Sequence, residues 1–195
     1  VSKDKMYVLL KKKYDGYHFR QQTEDIYNPF SLLSALKYRE LTNAWFATGT
    51  PTYLVKLLAK SDINIPDFED DLMATGEMLA TFGNGETNTV AAFYQSGYLT
   101  IKDYRDGCYI LGIPNEEVSE GLTRILIPNY VGTSTSDRKD FDLIKLRQLI
   151  FSEDATAFMS QIQLIMSQIP FESNDVKLIE ANFRNMVYLM IRATG

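Results

Sequence analysis

The side chains that could do chemistry are few and scattered along this chain. The single histidine, His18, and the single cysteine, Cys108, could in principle form a nucleophilic pair in which the imidazole activates the thiol. One His and one Cys are too few for an ordinary Cys/His zinc site or for an internal disulfide. A structural His among aromatic residues and a Cys inside a predicted strand are the favoured interpretation, so no catalytic residue and no metal ligand is assigned.

Carboxylates are densest in the run PDFEDD, residues 66–71, which could bind a hard cation through oxygen ligands. The run lacks the glycine and the spacing of a calcium loop, so a solvated acidic loop is favoured. Its Pro-Asp also matches the start of a metal-dependent nuclease motif, but no Asp/Glu-x-Lys follows on a strand at a useful distance. Asp175-Val176-Lys177 lies too far along the chain and opens a predicted helix. We therefore predict no nuclease site within these residues.

Phosphate-binding and hydrolase motifs are also missing. No Gly-x-x-x-x-Gly-Lys-Ser/Thr loop occurs, because FGNGET lacks both its spacing and its lysine, and no Gly-x-Ser-x-Gly elbow occurs. The stretch WFATGTPTYLVKLL is the remaining candidate for a ligand contact. Gly49 would let the backbone approach a ligand closely, and Pro51 would fix the start of a helix whose free N–H groups could face phosphates or a base. An ordinary helix start capped by Thr50 is the alternative.

Charge and composition restrict the class of protein. The 195 residues carry a net charge of −5, with 45% hydrophobic residues, which is typical of a globular protein with a substantial core. Residues 1–20 are basic and residues 61–90 are acidic, and a solvated surface is the favoured interpretation of both. The overall acidity argues against a dedicated nucleic-acid domain. With one cysteine, no signal sequence and no long apolar run, a cytoplasmic protein without a membrane partner is expected.

The elements that would position these residues are mostly helical, with one β-hairpin, so we predict an α+β fold. Helix caps, apolar spacing and turn residues mark the boundaries of the elements. The predicted elements are helices from Ser2 to Asp15-Gly16, from Ser31 after the Asn28-Pro29 turn, over about 51–60, from Thr87 or Asn88 to Gly97 and from Asn115; a short apolar element near Leu72–Leu79; a hairpin turning at Arg105-Asp106-Gly107; and, after the linker Gly132–Asp137, helices over about 140–150, 153–168 (capped by Ser152) and 174–193.

The order of helix, hairpin and helix is typical of the end of a winged helix, with Thr100–Ile110 as the wing. Lys102, Tyr104 and Arg105 on this wing could contact a DNA backbone, although Asp103 and Asp106 reduce its positive charge. Apolar residues at alternating spacings of three and four predict a packing seam on the last helix. Its members are Val176, Ile179, Phe183, Met186 and Met190.

Three motifs together carry a resemblance to a known family. They are KKYDGYHF with YNPFSLLSAL, then WFATGTPTYLVKLL, then FYQSGYLTIKDY with YILGIPNEEV. They resemble the bacterial AAA-ATPase-like proteins that are usually fused to a PD-(D/E)XK nuclease-like domain. The similarity covers about residues 9–130 strongly, and residues 140–195 resemble more weakly the helical connection into the nuclease-like domain.

The resemblance implies a division of the chain and a place for a nucleotide. Residues 1–65 would be a helical lid-like region, residues 66–131 a winged-helix-like element, and residues 132–195 a linker with helices leading toward a nuclease-like domain absent from this chain. The Walker motifs would lie in an N-terminal ATPase core, also absent, so ATP and Mg are implied for the parent protein and no cofactor for this chain. The residues implied to lie near the nucleotide are Tyr14, Asp15, Gly16, Tyr17, Gly49, Thr50 and Pro51.

We therefore expect a non-catalytic regulatory or lid portion of an AAA-ATPase-like protein, which couples nucleotide state to a nuclease-like domain. Its expected partners are the missing ATPase core and the missing nuclease-like domain, and nucleic acid is a further candidate. Two alternatives stay open: a winged-helix nucleic-acid-binding module, and a helical segment that pairs with another protein through the Val176–Met190 seam. The start without Met and the end on a predicted helix suggest a segment excised from a longer protein.

Overall fold

The computed structural model describes residues 2–193 except 21–23, 49–51, 62, 70–71, 82–87, 131–135 and 168–175. Within these ranges the fold is α+β and mostly helical, as predicted. The helices are α1 (Lys3–Tyr14), α2 (Pro29–Tyr38), α3 (Thr52–Leu58), α4 (Gly76–Ala80), α5 (Thr89–Gln95), α6 (Glu116–Tyr130), α7 (Ser136–Phe151), α8 (Ala155–Met166) and α9 (Val176–Ala193), and the strands are β1 (Leu72–Ala74), β2 (Thr100–Arg105) and β3 (Cys108–Gly112). Two short 3-10 helices cover Trp45–Thr48 and Ile65–Phe68.

The sheet has three antiparallel strands in the order β1-β3-β2. The hairpin of β2 and β3 turns at Asp106 and Gly107, whose φ angles of 53° and 81° give the paired left-handed residues of a tight hairpin turn. The predicted single hairpin was incomplete, because β1 pairs with the other side of β3. With only three residues, β1 is too short to show a period-two pattern, so its pairing depends on the tertiary contact.

Helix starts follow side-chain caps, and two of the predicted caps were wrong. Ser2 caps α1 and Asn88 caps α5, as expected. The cap of α2 is Asn28, whose Oδ1 accepts from the backbone N–H groups of Phe30 and Ser31, so Ser31 is inside the helix. The cap of α8 is Asp154 rather than Ser152. In both cases an Asn or Asp close to the predicted cap provides the accepting oxygen.

The chain divides into two compact units. The first consists of Val1–Leu54 and Asp67–Leu122, and the second of Val55–Pro66 and Thr123–Gly195. The predicted boundary at residue 65 therefore does not separate two units, because most of the lid-like region and most of the winged-helix-like region belong to the first one. The predicted linker Gly132–Asp137 is shorter than expected at its C-terminal end, since α7 already begins at Ser136; residues 132–135 lie outside the described residues.

Aromatic rings and the sheet form the core of the first unit. Tyr98 is within 5.2 Å of the Trp45 ring and 5.8 Å of the Phe93 ring, measured between ring centroids, and Phe93 in turn packs on Phe68. Leu111 of β3 is fully buried. Because offset and edge-on ring contacts stabilise a core beyond the apolar area that each ring buries, this cluster stabilises the unit.

In the second unit a buried polar side chain joins two distant segments. Asn185 of α9 accepts from the backbone N–H of Ile65 at 2.8 Å and donates to the carbonyl of Ile63 at 3.0 Å. The predicted seam of α9 needs a correction, because Phe183 is exposed whereas Asn185, Met186 and Met190 are buried. The side chain of Val176 is outside the described residues. No helix in the described part of the chain has the length and apolarity to span a membrane.

Candidate functional site around Glu117

The motif Tyr14-Asp15-Gly16-Tyr17 ends α1, and its aromatic side chains contact the interior of the first unit. Tyr14 is fully buried, and its hydroxyl donates to the carbonyl of Thr42 at 2.8 Å. Tyr17 is also buried, and its backbone forms an antiparallel bridge with Ile26. Burial raises the pKa of the Tyr17 hydroxyl, while a hydrogen bond to the side chain of Asn28 acts in the opposite direction. These two rings therefore stabilise the chain reversal after α1.

Gly16 occupies a position that no other residue could take without a shift of the backbone. Its φ is +103°, and a Cβ placed on it would lie 2.2 Å from the carbonyl oxygen of Pro114. The preceding Asp15 is buried, and its Oδ1 has no hydrogen-bond partner in the described part of the chain. The end of α1 thus lies directly against the residues that lead into α6, which is a contact between two of the quoted motifs.

The carboxylate of Glu117, in the first turn of α6, is the central polar group of this region. Its side chain is fully buried. Oε1 accepts from the Ser31 hydroxyl of α2 at 2.8 Å and from the backbone N–H of Trp45 at 3.1 Å. We call Glu117, Ser31 and Trp45 the Glu117 junction. One carboxylate oxygen thereby joins three segments that are far apart in sequence.

Burial raises the pKa of Glu117 above its usual value of 4.5, since the interior disfavours the charged form. The hydrogen bonds from Ser31 and Trp45 and the nearby Lys13 ammonium act in the opposite direction. Oε2 has no hydrogen-bond partner within the described residues. The carboxyl group is therefore both a structural link and a group whose ionisation is less favourable in the folded protein than in water.

A second polar contact lies one helical turn further along α6, beside the Glu117 junction. Lys13 of α1 is largely buried, and its Nζ donates to Glu120 Oε2 at 2.6 Å. The side-chain amide of Asn43 donates to the same oxygen at 2.9 Å. Charge-assisted hydrogen bonds are among the stronger ones in proteins, so this contact fixes the end of α1 and the segment before Trp45 to α6.

The side chain of Phe46 fills the space left by Gly121 on α6. A Cβ at position 121 would lie 2.2 Å from Phe46 Cε2, well inside van der Waals contact. Phe46 also packs edge-on against Trp45, with a centroid distance of 5.0 Å, and against Tyr98 at 5.7 Å. A Cβ on Gly97, whose φ is +79°, would lie 3.7 Å from the Trp45 ring. The aromatic pair Trp45-Phe46 thus packs against α6 and against the residues that follow α5.

The residues predicted to lie near a nucleotide are only partly among the described residues. Gly49, Thr50 and Pro51 lie outside the described residues, although α3 begins directly after them at Thr52. Tyr14 and Tyr17 direct their rings into the first unit. In the sequence, Tyr14-Asp15-Gly16-Tyr17 and Gly49-Thr50-Pro51 were treated as two separate motifs. The contact of Gly16 with Pro114 brings the first motif to the residues that lead into α6, and the hydrogen bond of Trp45 with Glu117 brings the start of the WFATGTPTYLVKLL stretch to the N-terminal turn of α6.

The hairpin carries little net positive charge. Lys102, Tyr104 and Arg105 are all exposed. Arg105 Nε, however, lies 2.9 Å from Asp103 Oδ2, and the Tyr104 ring packs on Tyr109 at 5.1 Å. Two of the three predicted DNA-contacting side chains therefore interact with neighbours on the same hairpin.

The structure does not bring His18 and Cys108 together, and it shows no metal site among the described side chains. The backbone of His18 pairs with Thr100 at one end of β2, whereas Cys108 pairs with Arg105 at the other end. At about 3.3 Å per residue the two ends are roughly 16 Å apart, so His18 and Cys108 do not form a nucleophilic pair. Among the described side chains, no group of three or more His, Cys, Asp or Glu could hold a metal ion.

Sequence reasoning missed Glu117, Phe46 and Gly121. It assigned Glu117 only a favourable interaction with the dipole of α6. Helical phasing provides little signal for its burial, because the buried Gly121 lies near Glu117 on the helix surface, whereas the buried Leu122 and Leu126 lie roughly 140° and 180° around the axis. Nothing in the sequence signals the contact between Phe46 and Gly121, which joins residues 75 positions apart.

Comparison with known proteins finds a longer relative and no established activity. The chain is similar to a protein described as "Uncharacterized protein in vnfD 5'region" from Azotobacter chroococcum mcd 1, with 32% identity over 189 residues. The match covers 93% of this chain and 36% of that protein, so the chain spans a little over a third of the length of its relative. No protein-family model matches the chain. No solved structure matches it.

Proposed function

We propose that this chain is a non-catalytic lid and connecting portion of an AAA-ATPase-like protein, and that it couples nucleotide state in an ATPase core to a nuclease-like domain. The observation that carries the proposal is the Glu117 junction: one buried carboxylate links α2, the 3-10 helix Trp45–Thr48 (the Trp45 segment) and α6, and all three belong to motifs that resemble this family. We also place the protein in the cytoplasm, since it has one cysteine, and no described helix suits a membrane.

The convergence of the family-like motifs supports this proposal. Residues from YDGY, YNPF, WFATGTP and GIPNEE contact one another through Gly16 and Pro114, Tyr14 and Asn28, and Trp45 and Glu117. These contacts hold the motif residues in fixed positions relative to one another. A lid needs such rigidity, because a conformational change must be transmitted through discrete packed contacts rather than absorbed by them.

The length of the Azotobacter relative is a second support. Nearly two thirds of that protein lies outside the matched region, which leaves room for an ATPase core and a nuclease-like domain. The sequence carries no phosphate-binding loop motif, and the described residues include no group of three or more His, Cys, Asp or Glu that could hold a metal ion. The proposal therefore assigns ATP and Mg to the core, and it assigns to this chain only the positioning of the segment that carries Gly49, Thr50 and Pro51.

The route of coupling in this proposal runs through α6. The backbone N–H of Trp45 is bound to Glu117, so a displacement of the segment ahead of α3 would act on the first turn of α6. The residues of α6 belong to the first unit up to Leu122 and to the second from Thr123.

Hydrogen exchange in the full-length Azotobacter relative tests the proposal. Addition of ATP and magnesium should slow exchange in the segment aligned with residues 45–58 and in the segment aligned with α6. This chain alone should show no turnover of ATP. Unchanged exchange in both segments, or ATP hydrolysis by this chain alone, would contradict the proposal.

A winged-helix nucleic-acid-binding module is the second candidate, and the exposed Lys102, Tyr104 and Arg105 favour it. Binding to duplex DNA should then weaken as salt rises, and the double substitution Lys102→Ala and Arg105→Ala should weaken it further with a shallower salt dependence. Fluorescence anisotropy at low salt measures both. No binding at low salt would leave only the lid proposal and the helical interaction segment.

A helical interaction segment is the third candidate. Helices of the second unit expose apolar side chains, among them Met159 and Leu164 of α8 and Phe183 and Ile191 of α9. In the lid proposal these side chains face the nuclease-like domain; in this third candidate they face a separate protein. The residues aligned with Phe183 and Ile191 can be replaced by Ser in the full-length relative, and the proteins that co-purify with it can be compared before and after the change. Loss of a co-purifying protein indicates a contact with a separate protein. An unchanged set of proteins indicates a contact with the nuclease-like domain of the same chain.

A further inference from the structure

Helix α2 has an unusual distribution of residues between its two faces. It buries the small residues Ser31 and Ala35 against the first unit, with Leu32 partly buried beside them. It exposes large apolar side chains instead: Phe30 is 53% exposed, Leu33 66% and Leu36 57%. A surface helix normally places its large apolar residues toward the core, so the outer face of α2 has the composition of an interface. We call Phe30, Leu33 and Leu36 the α2 outer face.

These three residues form one oblique stripe, symmetric about its middle member. Successive steps of three residues differ by about 60° around a helix, so the stripe stays within roughly 120°. Phe30 and Leu36 lie at equal distances before and after Leu33, about 4.5 Å along the helix axis in each direction. Such a stripe can pack against itself when one copy of the helix is reversed.

The charges at the two ends of α2 are opposite in sign. Glu24 and Asp25, both exposed, lie in the segment leading into the helix, and Asp25 Oδ1 is 3.3 Å from His18 Nδ1. Lys37 and Arg39, both exposed, lie at its end. In a reversed pair of helices the basic end of one copy therefore approaches the acidic end of the other, and the two helix dipoles also run in opposite directions.

We propose that the α2 outer face is a homodimer contact, in which α2 packs antiparallel against α2 of a second copy about a twofold axis through Leu33. Leu33 then contacts its own counterpart, and Phe30 contacts Leu36 of the other copy. The contact is isologous, so it closes at two copies. This proposal goes beyond the proposed function and does not depend on it.

A second copy suits this face better than a membrane does. Helices that lie on anionic lipid carry basic residues along their polar face, whereas α2 is preceded by two carboxylates. A ten-residue helix is only about 15 Å long, so the contact is smaller than a standard interface and the association should be weak. A neighbouring domain of a longer protein is the other occupant that the test must distinguish.

Disulfide trapping at the symmetry centre tests the proposal most directly. The chain has one cysteine, so Leu33→Cys in a Cys108→Ser background carries a single thiol on the proposed axis. Under mild oxidation this variant should form a disulfide-linked dimer. Met159→Cys in the same background is the matched control, because Met159 is a similarly exposed apolar residue on α8, and it should remain mostly monomeric.

Sedimentation and a charge exchange complete the test. The native chain should sediment increasingly as a dimer as its concentration rises, and Leu33→Asp should abolish this without loss of helical circular dichroism, since Leu33 is exposed. Lys37→Glu should weaken dimerisation several-fold, and adding Glu24→Lys should restore it. A monomer at every concentration, equal trapping of Met159→Cys, or no rescue by the charge exchange would overturn the proposal, and the first outcome would assign the face to another domain.

Discussion

The substitution Gly121→Ala tests whether Phe46 holds the Trp45 segment against α6. A Cβ at position 121 would lie 2.2, 2.3 and 2.4 Å from three atoms of the Phe46 ring, whereas carbon atoms pack comfortably at about 3.5 Å or more. The ring must therefore retreat by roughly 1 Å. It has little room to do so, because Trp45 and Tyr98 pack against it at centroid distances of 5.0 and 5.7 Å.

Two opposing contributions determine the size of the effect. Overpacking of a filled core typically costs about 1–3 kcal/mol. Replacing Gly by Ala inside a helix such as α6 typically stabilises by up to about 1 kcal/mol. We therefore expect Gly121→Ala to lower the free energy of unfolding of the first unit by about 1–2 kcal/mol.

Urea unfolding followed by tryptophan fluorescence is the appropriate assay, because the single tryptophan, Trp45, contacts Phe46 directly and reports on the first unit. Gly76→Ala is the matched control. A Cβ at position 76 would meet only the Tyr109 ring at 3.7 Å, an ordinary contact, so stability should be unchanged or rise by up to about 1 kcal/mol.

A double-mutant cycle with Phe46→Leu then identifies the cause. If the clash with the ring produces the loss, Gly121→Ala should cost less in the Phe46→Leu background, because the smaller side chain leaves space. Stabilisation by Gly121→Ala, or an equal loss in both backgrounds, would refute this account of the contact between the Trp45 segment and α6.

Three further predictions follow from buried polar contacts. Because the pKa of Glu117 is raised above 4.5, its stabilising contribution is complete below that pH and is lost as pH rises through the folded-state pKa. The free energy of unfolding of the native chain should therefore fall more between pH 4.5 and pH 8 than that of Glu117→Gln. Denaturant titrations measure both, and an equal fall with pH in the two proteins would contradict this prediction. Asn185→Ala leaves the buried N–H of Ile65 without its acceptor and should lower the free energy of unfolding by about 2 kcal/mol in calorimetry or urea unfolding. The substitution Arg184→Ala at the exposed neighbour should change it by no more than about 1 kcal/mol, and equal losses would contradict a stabilising role of the hydrogen bond from Ile65. Asn28→Ala removes the cap of α2 and should cost about 1 kcal/mol, with Asn28→Asp close to native; an Asp variant as unstable as the Ala variant would show that the cap is unimportant.

Much of the fold could be predicted from local patterns. The start of α1 at Ser2, the break at Asp15-Gly16, the hairpin turn at Asp106-Gly107 and the long helices beyond residue 135 all depend on residues close together in sequence. The errors have a common origin. Ser31 was predicted as a cap and β1 was missed because neighbouring residues and a three-residue strand carry too little local information.

The candidate site could be predicted only in part. The motifs that compose it were identified, but their mutual contacts were not, and Glu117 was identified only as an acidic residue in a first helical turn. A carboxylate in a first helical turn usually faces water, and only the Ser31 hydroxyl and the Trp45 N–H, 86 and 72 residues away, make its burial tolerable.

The sequence by itself determined the α+β class, the helix and hairpin boundaries to within a few residues, and the scarcity of catalytic side chains, because caps, turns and composition act over a few residues. Only the tertiary structure decided that the ends of α1 and of the Trp45 segment meet at the N-terminal turn of α6, and that α2 turns its large apolar residues outward. The physical reason is that burial and hydrogen bonding between distant segments are properties of the whole packed chain, which no local pattern specifies.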